Sequence, residues 1–133
     1  MKNFILILLI CFCVSCAHVP KSEEVPLDLG YEEIIVLAQR ESDANNHRGA
    51  KAYYQIMIER FGTDANVLNI GEFEIAHILI KQKKYEQARV LLNQVLARFE
   101  GAGSAMLKPE YKKLAEIDLK KIEERTPKKK DDE

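Results

Sequence analysis

Cysteine is the residue of this chain with the most distinctive chemistry, and its three copies lie close together. Cys11, Cys13 and Cys16 have a spacing that would suit thiolate metal ligands or a disulfide. Cys11 and Cys13, however, lie inside an unbroken apolar run from Phe4 to Val14. A transmembrane helix needs about 20 apolar residues, so this run is too short to cross a bilayer and instead suits the core of a secretory signal peptide. We therefore expect both cysteines to leave with the signal peptide, and neither a disulfide nor a thiolate metal site to remain.

The end of this run, Val14-Ser15-Cys16, resembles the lipobox of bacterial lipoproteins. In that motif a small residue precedes a cysteine that is diacylated on sulfur and becomes the new N terminus. Ser15 fits, and Cys13 stands where leucine is usual. The resemblance implies a signal peptide over residues 1–15 and a lipid anchor on Cys16. Ordinary secretory cleavage and an uncleaved anchor are the alternatives.

Histidine and carboxylate side chains do not form an evident catalytic or metal-binding constellation. His18, His47 and His77 fall on different segments, whereas a metal site or general base would need a second ligand nearby. Glu72 and Glu74 point to different faces of one predicted helix, so they are not an acid/base pair. The sequence has no phosphate loop, HExxH motif or nucleophile elbow. We expect no enzyme, no metal and no cofactor.

The composition favours one all-helical domain. The chain has 133 residues, no tryptophan and a formal net charge of -1, which gives no electrostatic reason to expect nucleic acid as a partner. Residues 16–30 predict a lipidated cysteine and a flexible tether, and residues 126–133 predict a charged, disordered tail. Apolar residues recur at helical spacing over 31–125. The predicted helices are Tyr31–Ala44, His47–Phe61, Val67–Lys83, Tyr85–Glu100 and Pro109–Arg125.

An internal repeat relates these helices. The first pair aligns with the second at a constant offset, which places Ala50 on Ala88 and Leu37-Ala38 on Ile75-Ala76. Leu114-Ala115 begins a third, partial copy. A fixed period in this range predicts a solenoid of helix pairs.

The repeat resembles the tetratricopeptide (TPR) family. Small residues stand twelve apart at Ala38 and Ala50 and again at Ala76 and Ala88, and Tyr85 precedes Ala88 by three residues. The period, which is the separation of Ala50 from Ala88, exceeds that of the family, whose repeats are about 34 residues long. With the lipobox, the longer period further resembles TPR lipoproteins of the BamD type. The resemblance implies an all-α, TPR-like solenoid of two repeats plus a C-terminal capping helix, behind a lipoprotein signal peptide.

In the TPR family the first helix of each pair lines a concave groove, which implies a set of partner-binding residues here. They are Gln39, Asp43, Phe73, Glu74, His77, Lys81, Lys112, Glu116 and Lys120. Phe73 is the predicted anchor, because an aromatic side chain among charged ones is typical of a binding surface. Burial of Phe73 against the fifth helix is the alternative.

The resemblance implies a protein-binding adaptor on the periplasmic side of the outer membrane that helps to insert β-barrel proteins. The alternative is an accessory lipoprotein of a transporter or a periplasmic ligand-binding system. Two and a half repeats are few for burying a continuous core, so self-association is a further expectation.

Overall fold

The computed structural model describes residues 18–126, and this part of the chain is helical with no strand. The signal peptide, Cys16 and the tail after Thr126 lie outside the described residues. The five helices are α1 (Tyr31–Asp43), α2 (His47–Phe61), α3 (Ala65–Lys81), α4 (Tyr85–Arg98) and α5 (Pro109–Arg125). Single turns of 3-10 helix occur at Ser22–Glu24 and Ser104–Met106. The all-helical fold and five helices are thus confirmed.

Each helix packs against its neighbours in sequence, and α3 also packs against α5. Short connections at 44–46 and 82–84 join α1 to α2 and α3 to α4, so consecutive helices run antiparallel. We call the end of the molecule with these two connections the turn end. The C-terminal end of α5 lies there too, because the Arg89 guanidinium of α4 donates at 3.4 Å to the hydroxyl of Thr126, the residue that follows α5. The connections 62–64 and 99–108 lie at the opposite end.

Alanines on all five helices are completely buried. Ala38, Ala50, Ala76, Ala88 and Ala115 are all 0% exposed. A small side chain lets two helix backbones approach, and the larger side chains on either side then fill the core at near-crystalline density. The larger side chains of this core include Ile34, Tyr54, Met57, Leu92 and Ile122.

The two turns at the turn end have the same backbone structure. Asn45 and Lys83, which occupy equivalent positions in the two copies of the repeat, have φ of 58° and 60° and are the described non-glycine residues with positive φ. The Asn46 amide donates to the Glu41 carbonyl, and the Lys84 amide donates to the Leu79 carbonyl. These bonds satisfy carbonyls that a helix end otherwise leaves unpaired. The internal repeat is therefore present in the hydrogen bonds as well as in the sequence.

Two arginines at equivalent repeat positions bind different parts of the molecule. Arg98 donates from Nη1 to Asn69 Oδ1 at 2.8 Å and to Glu72 Oε2 at 2.7 Å, which ties α4 to α3. Arg60, one repeat earlier, donates instead to three main-chain carbonyls near the N terminus. These carbonyls belong to Ser22, Val25 and Pro26, at 2.7–2.8 Å.

The segment before α1 is docked on the helices. Arg60 holds its middle, Val25 is buried at 3% exposure, and Asn46 Nδ2 donates to the His18 carbonyl at 2.7 Å. The stretch over residues 16–30 that the sequence predicts to be a flexible tether thus makes contacts with the helices between His18 and Pro26. Its prolines and polar residues indicated a loop, but the Arg60 contacts depend on tertiary structure and could not be seen in a local pattern.

Candidate partner-binding face

The predicted groove residues fall on α1, α3 and α5, in rows that follow the repeat. Gln39, His77 and Glu116 occupy equivalent positions on these three helices. The exposed members of the predicted set are Gln39, Asp43, Lys81, Lys112, Glu116 and Lys120. We call this predicted set, without Phe73, the charged face. Glu74 and His77 are its half-buried members.

Phe73 is part of the packing between α3 and α5, so of the two alternatives that the sequence left open, burial against the fifth helix is present and an exposed anchor is not. Its side chain is 7% exposed, and its ring centroid lies 5.7 Å from that of Tyr111 in an edge-to-face arrangement. The centroid of the His77 ring lies 6.1 Å from that of Phe73. Edge-to-face contacts are favourable beyond the area that they bury. Phe73 therefore holds α5 in place beneath the charged face.

A buried carboxylate that sequence reasoning missed orients His77. Asp118 on α5 is 3% exposed, and its Oδ2 lies 2.8 Å from His77 Nδ1 while its Oδ1 accepts from Lys121 Nζ at 2.7 Å. Burial by itself raises the pKa of Asp118, but the two hydrogen bonds outweigh it and lower the pKa below its usual value. Spacing offered one signal, since Asp118 lies three residues after Ala115 and four before Ile122, on the apolar side of α5.

The carboxylate of Glu74 differs from that of Asp118 in its hydrogen bonding. Glu74 lies on α3 and is half-buried. Within residues 18–126 its carboxylate forms no ion pair and accepts no hydrogen bond. Burial raises the pKa of Glu74, and the nearby side chains of His77 and Lys81 offset this only in part. A carboxylate that is partly desolvated without a partner lowers the stability of the fold. It is also available to accept hydrogen bonds from a ligand.

Replacing Glu74 with glutamine is therefore expected to raise the free energy of unfolding at pH 7. Because the folded-state pKa is raised, the folded protein binds more protons than the unfolded chain near that pKa, and the wild type gains stability as the pH falls through it. The difference in the free energy of unfolding between Glu74→Gln and the wild type should therefore decrease as the pH is lowered from 7 towards 4. Urea unfolding at several pH values would measure it. Glu116→Gln, an exposed change of the same kind, is the control. A variant less stable than the wild type at pH 7 would mean that the carboxylate is already satisfied.

Comparison with known proteins gives a relative of unstated function. The chain is 40% identical over 111 residues to an uncharacterized protein of Treponema pallidum (strain Nichols). The match covers 84% of this chain and 44% of the relative, so the chain spans less than half the length of that protein. No family model matches the chain, and no solved structure matches it. Among the described helices, none has the length and apolar character that a membrane crossing requires.

Proposed function

We propose that this chain is a membrane-anchored repeat lipoprotein whose charged face binds a protein partner. The observation that carries the proposal is Glu74, a half-buried carboxylate that has no partner among residues 18–126, on a face that also presents exposed charges of both signs. A polar group that lowers the stability of the free protein can be satisfied when a partner supplies a donor. Fixed charges spread over three helices also give specificity, because a wrong partner would leave them unpaired.

The repeat supports a TPR-like solenoid as the scaffold. Five buried alanines, two turns with matching hydrogen bonds and packing between successive helices are the features that such a solenoid requires. In a solenoid of helix pairs, the first helices line one side of the stack, which is where α1, α3 and α5 carry the charged face.

The shape of the surface favours a polypeptide over a small molecule. Two cavities of about 600 and 340 Å³ lie away from the charged face, the first lined by α4 and α5 and the second by α2, α3 and α4. Small ligands bind mainly in concave, largely apolar sites, whereas rows of charged side chains over three helices suit an extended protein surface. We further propose that the partner belongs to a membrane-associated complex, with outer-membrane protein assembly as the specific role.

Reversing charge on the charged face tests the partner site. Lys81→Glu combined with Lys112→Glu should abolish recovery of the partner when the full chain is purified from detergent-solubilised membranes and its associated proteins are identified by mass spectrometry. The fold should survive, since exposed substitutions usually change stability by about 0.5 kcal/mol or less. The matched control is Lys21→Glu with Lys108→Glu, two exposed lysines outside α1, α3 and α5.

The identity of the recovered proteins decides the role. Components of β-barrel assembly would support the assembly role, whereas transporter subunits would support the alternative of a transporter accessory. Equal loss in the control pair would mean that net charge, not the charged face, governs binding.

Replacing Cys16 with serine tests the anchor separately. The wild-type chain should incorporate radioactive fatty acid and sediment with membranes, because acyl chains on sulfur contribute about 0.8 kcal/mol of membrane affinity per buried CH₂ group. Cys16→Ser should lose the label and accumulate as a larger precursor or leave the membrane fraction. A wild-type chain without label would overturn the lipoprotein assignment.

A further inference from the structure

The docked N-terminal segment leads to the turn end of the molecule. Asn46, which lies in the α1–α2 turn, holds the His18 carbonyl through its side chain. Cys16 precedes His18 by two residues, and two residues span at most about 7 Å. The described part of the chain therefore begins beside the turn end, two residues after Cys16 in the sequence.

Exposed charges are distributed unequally between the two ends. On the helices and connections within two helical turns of the turn end, the exposed basic residues are Arg40, Arg48, Lys81, Lys83, Lys84, Lys120, Lys121 and Arg125, and the exposed acidic residues are Asp43, Glu86, Glu123 and Glu124. The docked segment adds exposed Glu24 to the acidic residues there, since its carboxylate lies 3.3 Å from the His18 imidazole. At the opposite end the balance is reversed. There the exposed acidic residues are Asp28, Glu32, Glu33, Glu59, Asp64, Glu100 and Glu110, and the exposed basic residues are Lys108, Lys112 and Lys113.

The basic excess at the turn end is not explained by helix stability alone. Cations are favourable near the C-terminal ends of helices, and this accounts for Arg40, Lys81 and Arg125. Arg48 and Lys84, however, stand at the N-terminal ends of α2 and α4, where a cation opposes the helix dipole. Residues that are unfavourable for the local structure suggest that the positive charge serves an external contact.

We propose that the turn end faces anionic lipid headgroups of the membrane in which the Cys16 lipid is embedded. The inference rests on the lipid anchor of the proposed function and adds an orientation to it. Basic side chains at a membrane surface are attracted by anionic lipids within a Debye length, and they strengthen attachment by acyl chains. With the acidic end directed away from the bilayer, the helices stand upright on it. The charged face is then roughly perpendicular to the bilayer surface and extends over the roughly 25 Å length of α3 and α5.

Energy transfer on vesicles tests the orientation. The full lipidated chain would be reconstituted on vesicles of phosphatidylcholine alone or with phosphatidylglycerol, each containing a headgroup-labelled acceptor lipid. A donor dye would be placed at Lys84→Cys on the turn end or at Asp64→Cys on the opposite end. Transfer should be stronger from position 84 than from position 64 on the anionic vesicles, and the difference should decrease in high salt and without phosphatidylglycerol.

Charge reversal separates this inference from the anchor. Arg48→Glu with Lys83→Glu should remove the difference between the two dye positions, whereas Lys108→Glu with Lys113→Glu at the opposite end should preserve it. Acyl content, measured by mass spectrometry on the same samples, reports the anchor independently. A lipidated chain that shows equal transfer from both positions on all vesicles would overturn the orientation and leave the anchor intact. A chain without acyl groups would overturn the proposed anchor and this orientation with it.

Discussion

Phe73→Ala is expected to lower the free energy of unfolding by about 3–5 kcal/mol, the usual cost of truncating a buried aromatic side chain. The substitution removes a ring that is 7% exposed and that contacts Tyr111 and His77. It leaves a cavity between α3 and α5, and α5 has no helix after it within the described chain to hold it in place. Urea unfolding followed by circular dichroism measures the loss.

A double-mutant cycle with Tyr111→Ala identifies the contact. If Phe73 and Tyr111 stabilise each other, the two losses should not add, with a coupling of about 0.5–1.5 kcal/mol for an edge-to-face pair. Val90→Ala, which truncates an exposed apolar side chain, serves as the control and should change stability little. A loss below about 1 kcal/mol for Phe73→Ala would contradict the packing described here. A binding defect in this variant would therefore indicate lost structure and not a lost anchor.

Ala88→Leu is expected to cost about 1–3 kcal/mol through overpacking. Ala88 is 0% exposed and lies in the first turn of α4, and a leucine in a densely packed core displaces its neighbours. Thermal unfolding should show the change as a lowered melting temperature. Ala97→Leu makes the same substitution at an exposed position of the same helix and should be nearly neutral. Equal melting temperatures for the two variants would mean that α4 pairs with its neighbours differently.

Periodic features of the sequence allowed most of the fold to be predicted. Apolar spacing placed α2 and α5 at the bounds that the structure gives and the other helices within two residues of them. Ala50 and Ala88, which the repeat placed at equivalent positions, are both completely buried. Both successes depend on patterns that repeat within one helix or at one offset, which a single sequence displays directly.

Features that depend on distant parts of the chain could not be predicted. The bonds from Arg60 to the N-terminal carbonyls, and the pair formed by His77 and Asp118, join residues that are far apart in the sequence. For Phe73 the local pattern left two alternatives, an exposed anchor and burial against the fifth helix, and only the contact with Tyr111 of α5 decides for the second. The αL conformation of Lys83 was also missed, since glycine or asparagine is the residue expected there.

The matching turns at Asn45 and Lys83 have a consequence for how such a chain can change in length. Both turns close their helix pair with the same hydrogen bonds, and each helix packs mainly on its immediate neighbours. A duplication or deletion of one full repeat therefore joins one turn to its equivalent and preserves the register of the remaining helices. Proteins built in this way can gain or lose binding surface one helix pair at a time without redesign of the core, because stability is nearly a sum over neighbouring units. The length of such a solenoid, and with it the size of its binding surface, therefore changes by whole helix pairs.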